Sequence, residues 1–351
     1  QLETPRNYFL TPFTPNAAFY VRWHLEGIPN AVNLTEWRLF VEGHVEKPLA
    51  LSLSDLMKQF KPVSIAAVNQ CSGNSRSRFQ PRLPGSQWGN GAMGNALFTG
   101  VALKDVLNAA GVKTGALQTQ FEGLEKGRGL TNSVSYKFLK SLKLDDPVIN
   151  ETIVAYTMNG EPLPMLNGFP VRLVVPGKFS TYWIKALTWI RVLTEPDANF
   201  WMTKTYCVPD TPGGNTTPKD VKEGHVPMVP VGTMPIRSFI ITPDGSCKIP
   251  VEMEVTVRGI AFSGYGTVVK VEFSMDDGAT WGMTKLGEDY GRYSFRTWEA
   301  TWVPRHTGKH ILAVRATDEK GNVQPDDAIW NPKGYLWNKV ERQEVTVDTA
   351  G

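Results

Sequence analysis

The chain has 351 residues, of which 41% are hydrophobic and 20% are charged, and its formal net charge is +3 at pH 7. This length predicts two domains rather than one. The charge is mild and forms no basic patch, so the sequence does not favour a nucleic-acid-binding protein. A membrane-spanning helix needs about 18 consecutive apolar residues, and the sequence contains no such stretch. The mild positive net charge is compatible with a small anionic substrate.

The chain contains three cysteines, Cys71, Cys207 and Cys247. None lies in a C-x-x-C motif, and no C-x-x-C-H motif for haem attachment occurs. At most one disulfide could form among them, so the cysteines do not indicate a redox compartment.

The first strand and helix signals lead to Cys71. Apolar and polar residues alternate over 35–45, which predicts a strand. The segment LSDLMKQF (53–60) has helical periodicity and a preceding serine hydroxyl as N-cap. The apolar segment 64–70 predicts a buried strand with Cys71 at its end.

The next segments mix helices with paired strands. The amphipathic segment 100–111 predicts a helix closed by Gly111. A strand is predicted at 119–124 and a short helix around 135–142. Asn159-Gly160 between apolar segments predicts a hairpin, and further strands are predicted at 170–177 and 181–193. Helices interspersed with hairpin-linked strands favour an α+β domain over a doubly wound sheet.

The second half of the chain has a different composition. Residues 209–237 are rich in Pro, Gly and Thr, which predicts a linker or a long surface connection. Beyond them, strand-length runs alternate with turns such as Asp277-Gly278. About seven short strands in roughly 110 residues predict an all-β, immunoglobulin-like sandwich. We therefore expect one domain at 1–230 and a second at 231–351.

Cys71 is the first candidate for chemistry. Small residues and two arginines, Arg76 and Arg78, follow it. This electropositive setting favours the thiolate, which is a soft ligand for transition metals. An inert buried thiol at a strand end is the alternative, because free cysteine is often buried.

Other basic residues are weaker candidates when taken singly. Arg22 and His24 lie two positions apart, which places them on one face of an extended segment. They are candidates for a binding site, and the alternative is that they are ordinary surface charges. Arg172 and Lys185 lie in strand-like segments, where charge is costly unless it is paired or bound to a ligand. The sequence has no dinucleotide fingerprint, phosphate-binding loop, zinc-protease motif or nucleophile elbow.

Several of these segments resemble the sulfite oxidase family of molybdenum enzymes, in matching order over nearly the whole chain; the bacterial cytochrome-linked members are the most similar type. The segments that carry the resemblance are FYVRWH (19–24), NQCSGNSRS (69–77), TGVALKDVL (99–107), FEGLE (121–125), AYTMNGEPLP with NGFPVRLVVPG (155–177), WIK (183–185) and WNPKG (330–334).

The resemblance implies a mononuclear molybdenum held by the dithiolene of a single pterin, two oxo groups and one cysteine, here Cys71. It implies an anion pocket around the metal, formed by Arg22, Arg76, Trp88, Tyr206 and Lys333. It also implies a cofactor site formed by Tyr20, Arg22, His24, Cys71, Asn167, Arg172, Trp183 and Lys185.

The sequence departs from the family pattern in three segments. Asn167 stands where the family often has a histidine, and Tyr182 and Trp183 replace an arginine–histidine pair. Lys333 stands where the family usually has a substrate-pocket arginine. Lysine keeps the positive charge but lacks the bidentate fork of arginine, so anion affinity and its salt dependence are expected to differ.

The function that the resemblance implies is oxidation of sulfite to sulfate, with electrons passed to a separate c-type cytochrome. A periplasmic protein whose signal peptide has been removed is expected, as a homodimer or as a heterodimer with a cytochrome subunit. The enzymatic alternative is a nitrate-reductase-type molybdenum oxidoreductase, against which Tyr206 argues. A non-catalytic cofactor carrier or an immunoglobulin-like binding protein is the alternative from another class.

Overall fold

The computed structural model describes residues 2–129 and 137–349, which are mostly β with a few short helices. Besides short 3-10 turns, the α-helices are α1 (Leu53–Gln59), α2 (Leu103–Ala110), α3 (Phe200–Thr203) and α4 (Pro218–Glu223). α1 begins with the predicted serine cap, because the Ser52 side chain and Asp55 form a capping box. α2 ends at Gly111, which has the left-handed conformation (φ 69°) expected of a C-terminal glycine.

The strands of the first part form two main sheets. They are β1 (Leu25–Gly27), β2 (Leu39–Gly43), β3 (Leu49–Leu51), β4 (Pro62–Gln70), β5 (Met93–Ala102), β6 (Gln118–Gly129), β7 (Lys137–Lys143), β8 (Ile153–Met158), β9 (Glu161–Pro162), β10 (Arg172–Val174), β11 (Leu187–Leu193), β12 (Cys207–Pro209) and β13 (Met228–Pro230). One sheet has the order β1-β6-β11-β2-β3 with β7 beside β6. The other has the order β10-β8-β5-β4 with β9 beside β8, and β12 pairs with β13.

The strands of the second part form two sheets around a second apolar core. They are β14 (Arg237–Thr242), β15 (Lys248–Pro250), β16 (Val255–Phe262), β17 (Val268–Ser274), β18 (Gly282–Met283), β19 (Lys285–Leu286), β20 (Arg296–Trp302), β21 (Gly308–Asp318) and β22 (Glu341–Asp348). The sheets have the orders β14-β16-β20-β19 and β15-β22-β21-β17-β18. Trp298 and Trp302 from the first sheet pack with Phe273 and Leu312 from the second.

The larger apolar core crosses the expected domain boundary. Phe9, near the N-terminus, is fully buried, and its ring makes edge contacts with Phe239 and Phe295 of the second part. All three belong to the same apolar cluster as the core of the first two sheets. The boundary at residue 230 therefore stays a prediction.

Several predicted elements are confirmed and others are wrong. The buried strand before Cys71 and the hairpin at Asn159-Gly160 are present, the latter with both turn residues at positive φ. The helix predicted around 135–142 is wrong where the structure describes it, because residues 137–143 form β7. The predicted linker at 209–237 contains α4 and β13, and the strand predicted from residue 181 begins only at Leu187.

In the described part of the chain, no helix is both long and apolar enough to cross a membrane.

Candidate active site

Two neighbouring cavities bring together nearly all of the predicted site residues. The front cavity has a volume of about 310 Å³, and its lining residues are Arg22, His24, Cys71, Arg76, Pro84, Gly85, Ser86, Trp88, Trp201, Thr205, Tyr206, Pro332, Lys333 and Tyr335. The rear cavity is narrower, and its lining residues are Tyr20, Arg22, His24, Asn69, Leu166, Asn167, Arg172, Ser180 and Lys185. Arg22 and His24 line both cavities, so the two form one continuous site.

Cys71 reaches the front cavity directly from the end of β4. Its backbone N–H donates to the Ala92 carbonyl at 2.9 Å, and its own carbonyl accepts from the Asn74 N–H at 3.0 Å. The residue is buried, and none of the three cysteines forms a disulfide. The backbone thus fixes a free thiol at the wall of the cavity.

Arg76 is held by both parts of the chain. Its Nε donates to the Lys333 carbonyl at 3.0 Å, and its Nη1 donates to the Ser86 carbonyl at 2.9 Å. The guanidinium lies over the Tyr335 ring, 5.2 Å from the centroid. Gly73 allows this arrangement, because a Cβ there would stand 2.4 Å from Nη2. Arg76 is therefore fixed before any anion binds.

Arg22 is a partly buried cation that keeps its charge. Burial lowers its pKa, but Tyr206, Cys71 and Glu125 outweigh this effect, and the net shift is upward. Its Nη1 donates to the Trp23 carbonyl. Arg22 thus stays protonated beside the Cys71 thiol and attracts an anion to it.

Tyr206 presents a phenol ring to the front cavity. Its backbone is in the left-handed region (φ 53°), an uncommon conformation for a bulky side chain. The ring stacks on Tyr335, with centroids 5.8 Å apart and an interplanar angle of 12°. Burial raises the pKa of Tyr206, so the hydroxyl keeps its proton and acts as a hydrogen-bond donor.

His24 and Glu125 form a buried pair between the two cavities. Nδ1 of His24 lies 3.4 Å from a Glu125 carboxylate oxygen, and the imidazole stacks on Phe138 at 3.7 Å. Burial lowers the pKa of His24 to about 4 despite Glu125. Burial alone would raise the pKa of Glu125, but His24, Lys185 and the backbone N–H of Leu25 bring it to about 2. At neutral pH a neutral imidazole therefore faces an ionised carboxylate.

The rear cavity contains two cations, the buried Arg172 and the half-buried Lys185, and Glu125 raises the pKa of Lys185 in part. Arg172 donates from Nη1 to the Asn167 carbonyl at 3.0 Å, and its Nε is buried without a partner, as is Nδ2 of Asn69. Burial lowers the pKa of Arg172 to about 10 and that of Lys185 to about 8. Among the described residues, neither forms an ion pair. Because buried cations need a counter-charge, this cavity fits an anionic ligand with several acceptors.

One predicted site residue lies elsewhere. Trp183 lines neither cavity; its ring is in the core, and its Nε1 donates to the Lys178 carbonyl at 3.0 Å. The Arg172 guanidinium lies 5.5 Å from the centre of that ring. Trp183 therefore acts on the rear cavity through Arg172, as part of its support.

The structure also adds residues that the sequence did not single out. They are Asn69, Glu125, Ser180 and Tyr335. Asn69 and Glu125 lie inside two of the recognised segments, NQCSGNSRS and FEGLE, and Tyr335 directly follows WNPKG. The position of these three residues in or beside the recognised segments could have identified them from the sequence. Ser180, whose Oγ accepts from the Tyr20 hydroxyl at 2.5 Å, had no such signal.

The side chains of the front cavity fit a metal whose other ligands come from an organic cofactor. Within residues 2–129 and 137–349, no group of three or more His, Cys, Asp or Glu side chains could hold a metal ion. Cys71 is the thiol that lines the front cavity, and Arg22, Arg76 and Lys333 line it too. A metal held mainly by an anionic organic cofactor satisfies both observations.

Comparisons with known proteins agree with this set of side chains. Residues 25–201 match the family described as oxidoreductase molybdopterin binding domain, and residues 229–348 match the Mo-co oxidoreductase dimerisation domain. Sulfite oxidase of Gallus gallus is 34% identical over 345 residues, which cover 92% of this chain and 71% of that protein. The human mitochondrial sulfite oxidase is 34% identical, with coverage of 95% and 62%. An NADH nitrate reductase of Brassica napus is 31% identical, with coverage of 93% and 37%.

A solved structure shows the same fold. It is the sulfane dehydrogenase SoxCD from Paracoccus pantotrophus, with a TM-score of 0.82 and 24% identity, covering 99% of this chain and 86% of that one. With both matched domains and a cavity that pairs one cysteine with several cations, the chain belongs to the sulfite oxidase family of molybdenum oxidoreductases, and its cofactor is molybdenum-molybdopterin.

Proposed function

We propose that the chain oxidises sulfite to sulfate at a molybdenum-pterin centre and passes the electrons to a separate c-type cytochrome. The observation that carries this proposal is the front cavity, where Arg22, Arg76 and Lys333 surround the Cys71 thiol. None of these three cations forms an ion pair with a carboxylate in the described parts of the chain. Such a site is suited to a small oxyanion.

The cofactor would be held by residues of both cavities. Cys71 would be the protein ligand to molybdenum, and Tyr20, His24, Asn167, Arg172 and Lys185 would bind the pterin and its phosphate. When bound, the group supplies oxygen-atom transfer and accepts two electrons. Its negative charge would serve as the counter-charge of Arg172 and would add to the effect of Glu125 on Lys185.

The protein would bind and orient the substrate. Arg22, Arg76 and Lys333 would hold the sulfite oxygens through charge-assisted hydrogen bonds, which are strong in a partly desolvated cavity. Because Arg76 is already fixed by two carbonyls, little reorganisation is needed on binding. Trp88 is buried and lines the same cavity.

Tyr206 would donate a hydrogen bond to the bound oxyanion. Its hydroxyl stays protonated because burial raises its pKa. The same hydroxyl could pass a proton during reoxidation, a role that requires hydrogen-bond reach of the reacting oxygen.

Further parts of the proposal concern assembly and location. Two-electron oxidation followed by single-electron transfer requires an acceptor, and the sequence has no haem-attachment motif. We place the protein in the bacterial periplasm, where c-type cytochromes occur, in keeping with the bacterial type that the sequence resembles. We also propose that the second domain is an immunoglobulin-like sandwich that mediates pairing with a second copy or a cytochrome subunit.

The test is a sulfite-to-cytochrome c assay on protein whose molybdenum content has been measured. The purified chain should show no haem Soret band, yet reduce added cytochrome c or an artificial acceptor when sulfite is supplied. A covalently bound haem in the isolated chain would contradict the external acceptor. Absence of sulfite-dependent reduction by fully loaded protein would contradict the substrate.

A nitrate-reductase-type activity is the second candidate, supported by the similarity to plant nitrate reductase. Tyr206 favours sulfite, because in the resemblance a tyrosine at this position belongs to the sulfite-oxidising pattern. Loaded protein should therefore show little nitrate reduction with a reduced dye, and efficient nitrate turnover without sulfite oxidation would establish the alternative.

A further inference from the structure

Lys140 is a charged residue in the core of the first part of the chain. It lies in the middle of β7, and its side chain is fully buried. Its Nζ donates to the Trp201 carbonyl at 2.9 Å. In the parts of the chain that the structure describes, no carboxylate lies within ion-pairing distance of Nζ. A buried ammonium that contacts a carbonyl and ring faces, without an ion pair in the described residues, requires an explanation.

The surroundings of Lys140 lead to the front cavity. Nζ lies 4.6 Å from the centre of the Tyr182 ring and 5.9 Å from that of the Tyr206 ring. Trp201, whose carbonyl accepts from Nζ, and Tyr206 both line the front cavity. Residues 200–207, here called the arm, thus have Lys140 behind them and the cavity in front.

The arm is held near its beginning and near its end. At the beginning, Trp201 accepts from Lys140 and donates from Nε1 to the Lys137 carbonyl at 2.7 Å, and near the end the Tyr206 carbonyl accepts from the Val231 N–H at 2.7 Å. Tyr206 adopts a positive φ between these points, a conformation that persists only when the surroundings enforce it. Loss of one fixed point would let this strained backbone relax and move the phenol ring.

Stability alone does not account for Lys140. Removing an ammonium from water is costly, and apolar residues of similar volume often replace buried charges at no loss of stability. Burial lowers the pKa of Lys140 to about 7, while Cys207 and Asp197 raise it in part. Since the unfolded chain binds this proton up to a higher pH, the lysine destabilises the fold below its ordinary pKa.

We propose that Lys140 is a positioning residue, which holds the arm so that the Tyr206 hydroxyl keeps its place in the front cavity. The loss of stability caused by the buried charge is then a consequence of its role in function. The proposal rests on the proposed function in one respect, namely that Tyr206 contacts the reacting oxyanion. The placement of the arm itself does not depend on the substrate.

The test compares Lys140→Met with Lys143→Met, a change at an exposed position of the same strand. Both are measured as holoenzymes with equal molybdenum content. Lys140→Met should lower kcat by about tenfold with KM changed by less than about twofold, because the three front-cavity cations still bind the anion. Its thermal midpoint should equal or exceed that of the wild type. Lys143→Met should leave kcat and the midpoint unchanged.

The pH profile supplies a readout that a purely structural residue would not affect. The titratable groups that face Nζ are Tyr182, Tyr206, Cys207 and Asp197. Only the protonated lysine makes the cation–π contacts, so kcat of the wild type should decline as pH rises through about 7. Lys140→Met should lack this inflection. Lys140→Gln, an uncharged donor, should recover part of the loss and provides a test if the methionine variant does not fold.

In the kinetic and thermal measurements, two outcomes would overturn the proposal. One is wild-type kcat in Lys140→Met. The other is a lowered thermal midpoint with unchanged kcat per folded enzyme, which would assign the lysine a structural role. Near-ultraviolet circular dichroism separates this test from that of the proposed function, because a displaced arm changes the stacked Tyr206 and Tyr335 rings whether or not sulfite is the substrate. An unchanged spectrum in Lys140→Met would also refute the positioning role.

Discussion

At the residue scale, Lys333 combines two roles in one short turn. Its backbone carbonyl accepts from Nε of Arg76, and its side chain lines the front cavity. The sequence predicted that this lysine of the second domain reaches the substrate pocket. In the structure its side chain is half-buried and lines the front cavity together with Cys71. Its contact with the substrate stays a prediction, and a solvated lysine in the Pro-Lys-Gly turn stays the alternative.

Substitution of the side chain separates these two roles. Lys333→Ala keeps the carbonyl that holds Arg76 but removes one charged contact to the anion. Hydrogen bonds to charged groups contribute about 1.5–3 kcal/mol, so kcat/KM for sulfite should fall by roughly 10- to 150-fold. The change should appear mainly in KM if substrate and transition state are held equally.

The control for this prediction is Lys333→Arg, which retains the charge and should keep much of the activity, with tighter anion binding. Steady-state kinetics at low ionic strength provide the measurement, because salt screens such contacts. Wild-type kinetics in Lys333→Ala would mean that the first domain alone binds the anion.

At the element scale, the site is built mainly by loops that follow strands and by short turns. The loop after β4 carries Cys71 and Arg76, and the turn at 331–335 provides the carbonyl that fixes the guanidinium. Glycines at the contact points let these loops approach the guanidinium closely. Gly73 and Gly334 both pack against Arg76.

Gly73→Ala tests this packing. The added methyl would stand 2.4 Å from Nη2 and 2.7 Å from Cζ of Arg76, so the guanidinium must move away. We expect kcat/KM to fall by about tenfold, which corresponds to the loss of roughly one charged hydrogen bond. Gly232→Ala is the matched control, because its methyl would meet open space. Equal kinetics for the two variants would show that the position of Arg76 does not matter.

Elements with strong local signals were predictable from the sequence. The capping box at Ser52 and the glycine at 111 determine the ends of their helices locally, and both helices are present. A short helix was predicted around residues 135–142, and the leucines and lysines of β7 are indeed good helix formers. Pairing with β6 and burial of Lys140 override that preference, and neither can be seen in a local window.

At the scale of the whole molecule, the second domain completes the site. Pro332, Lys333 and Tyr335 line the front cavity together with residues of the first domain. A shared apolar core that includes Phe9 and Phe239 fixes the two parts against each other. The position of Lys333 relative to Cys71 is therefore set by packing.

The site was predictable to the extent that its residues lie in recognised segments. Cys71, Arg22, Arg76 and Tyr206 were expected in one place, and they line one cavity. Residues whose roles depend on contacts between distant segments were missed. Tyr335 is an example, since its stacking on Tyr206 joins the two domains.

The central claim is that Cys71 is the protein ligand to molybdenum. Molybdenum K-edge X-ray absorption of loaded wild type and Cys71→Ser tests it most directly. We predict one fewer sulfur neighbour in the variant, with oxygen in its place and sulfite oxidation abolished, while circular dichroism shows an unchanged fold. An identical sulfur shell, or normal sulfite turnover by Cys71→Ser, would contradict the assignment.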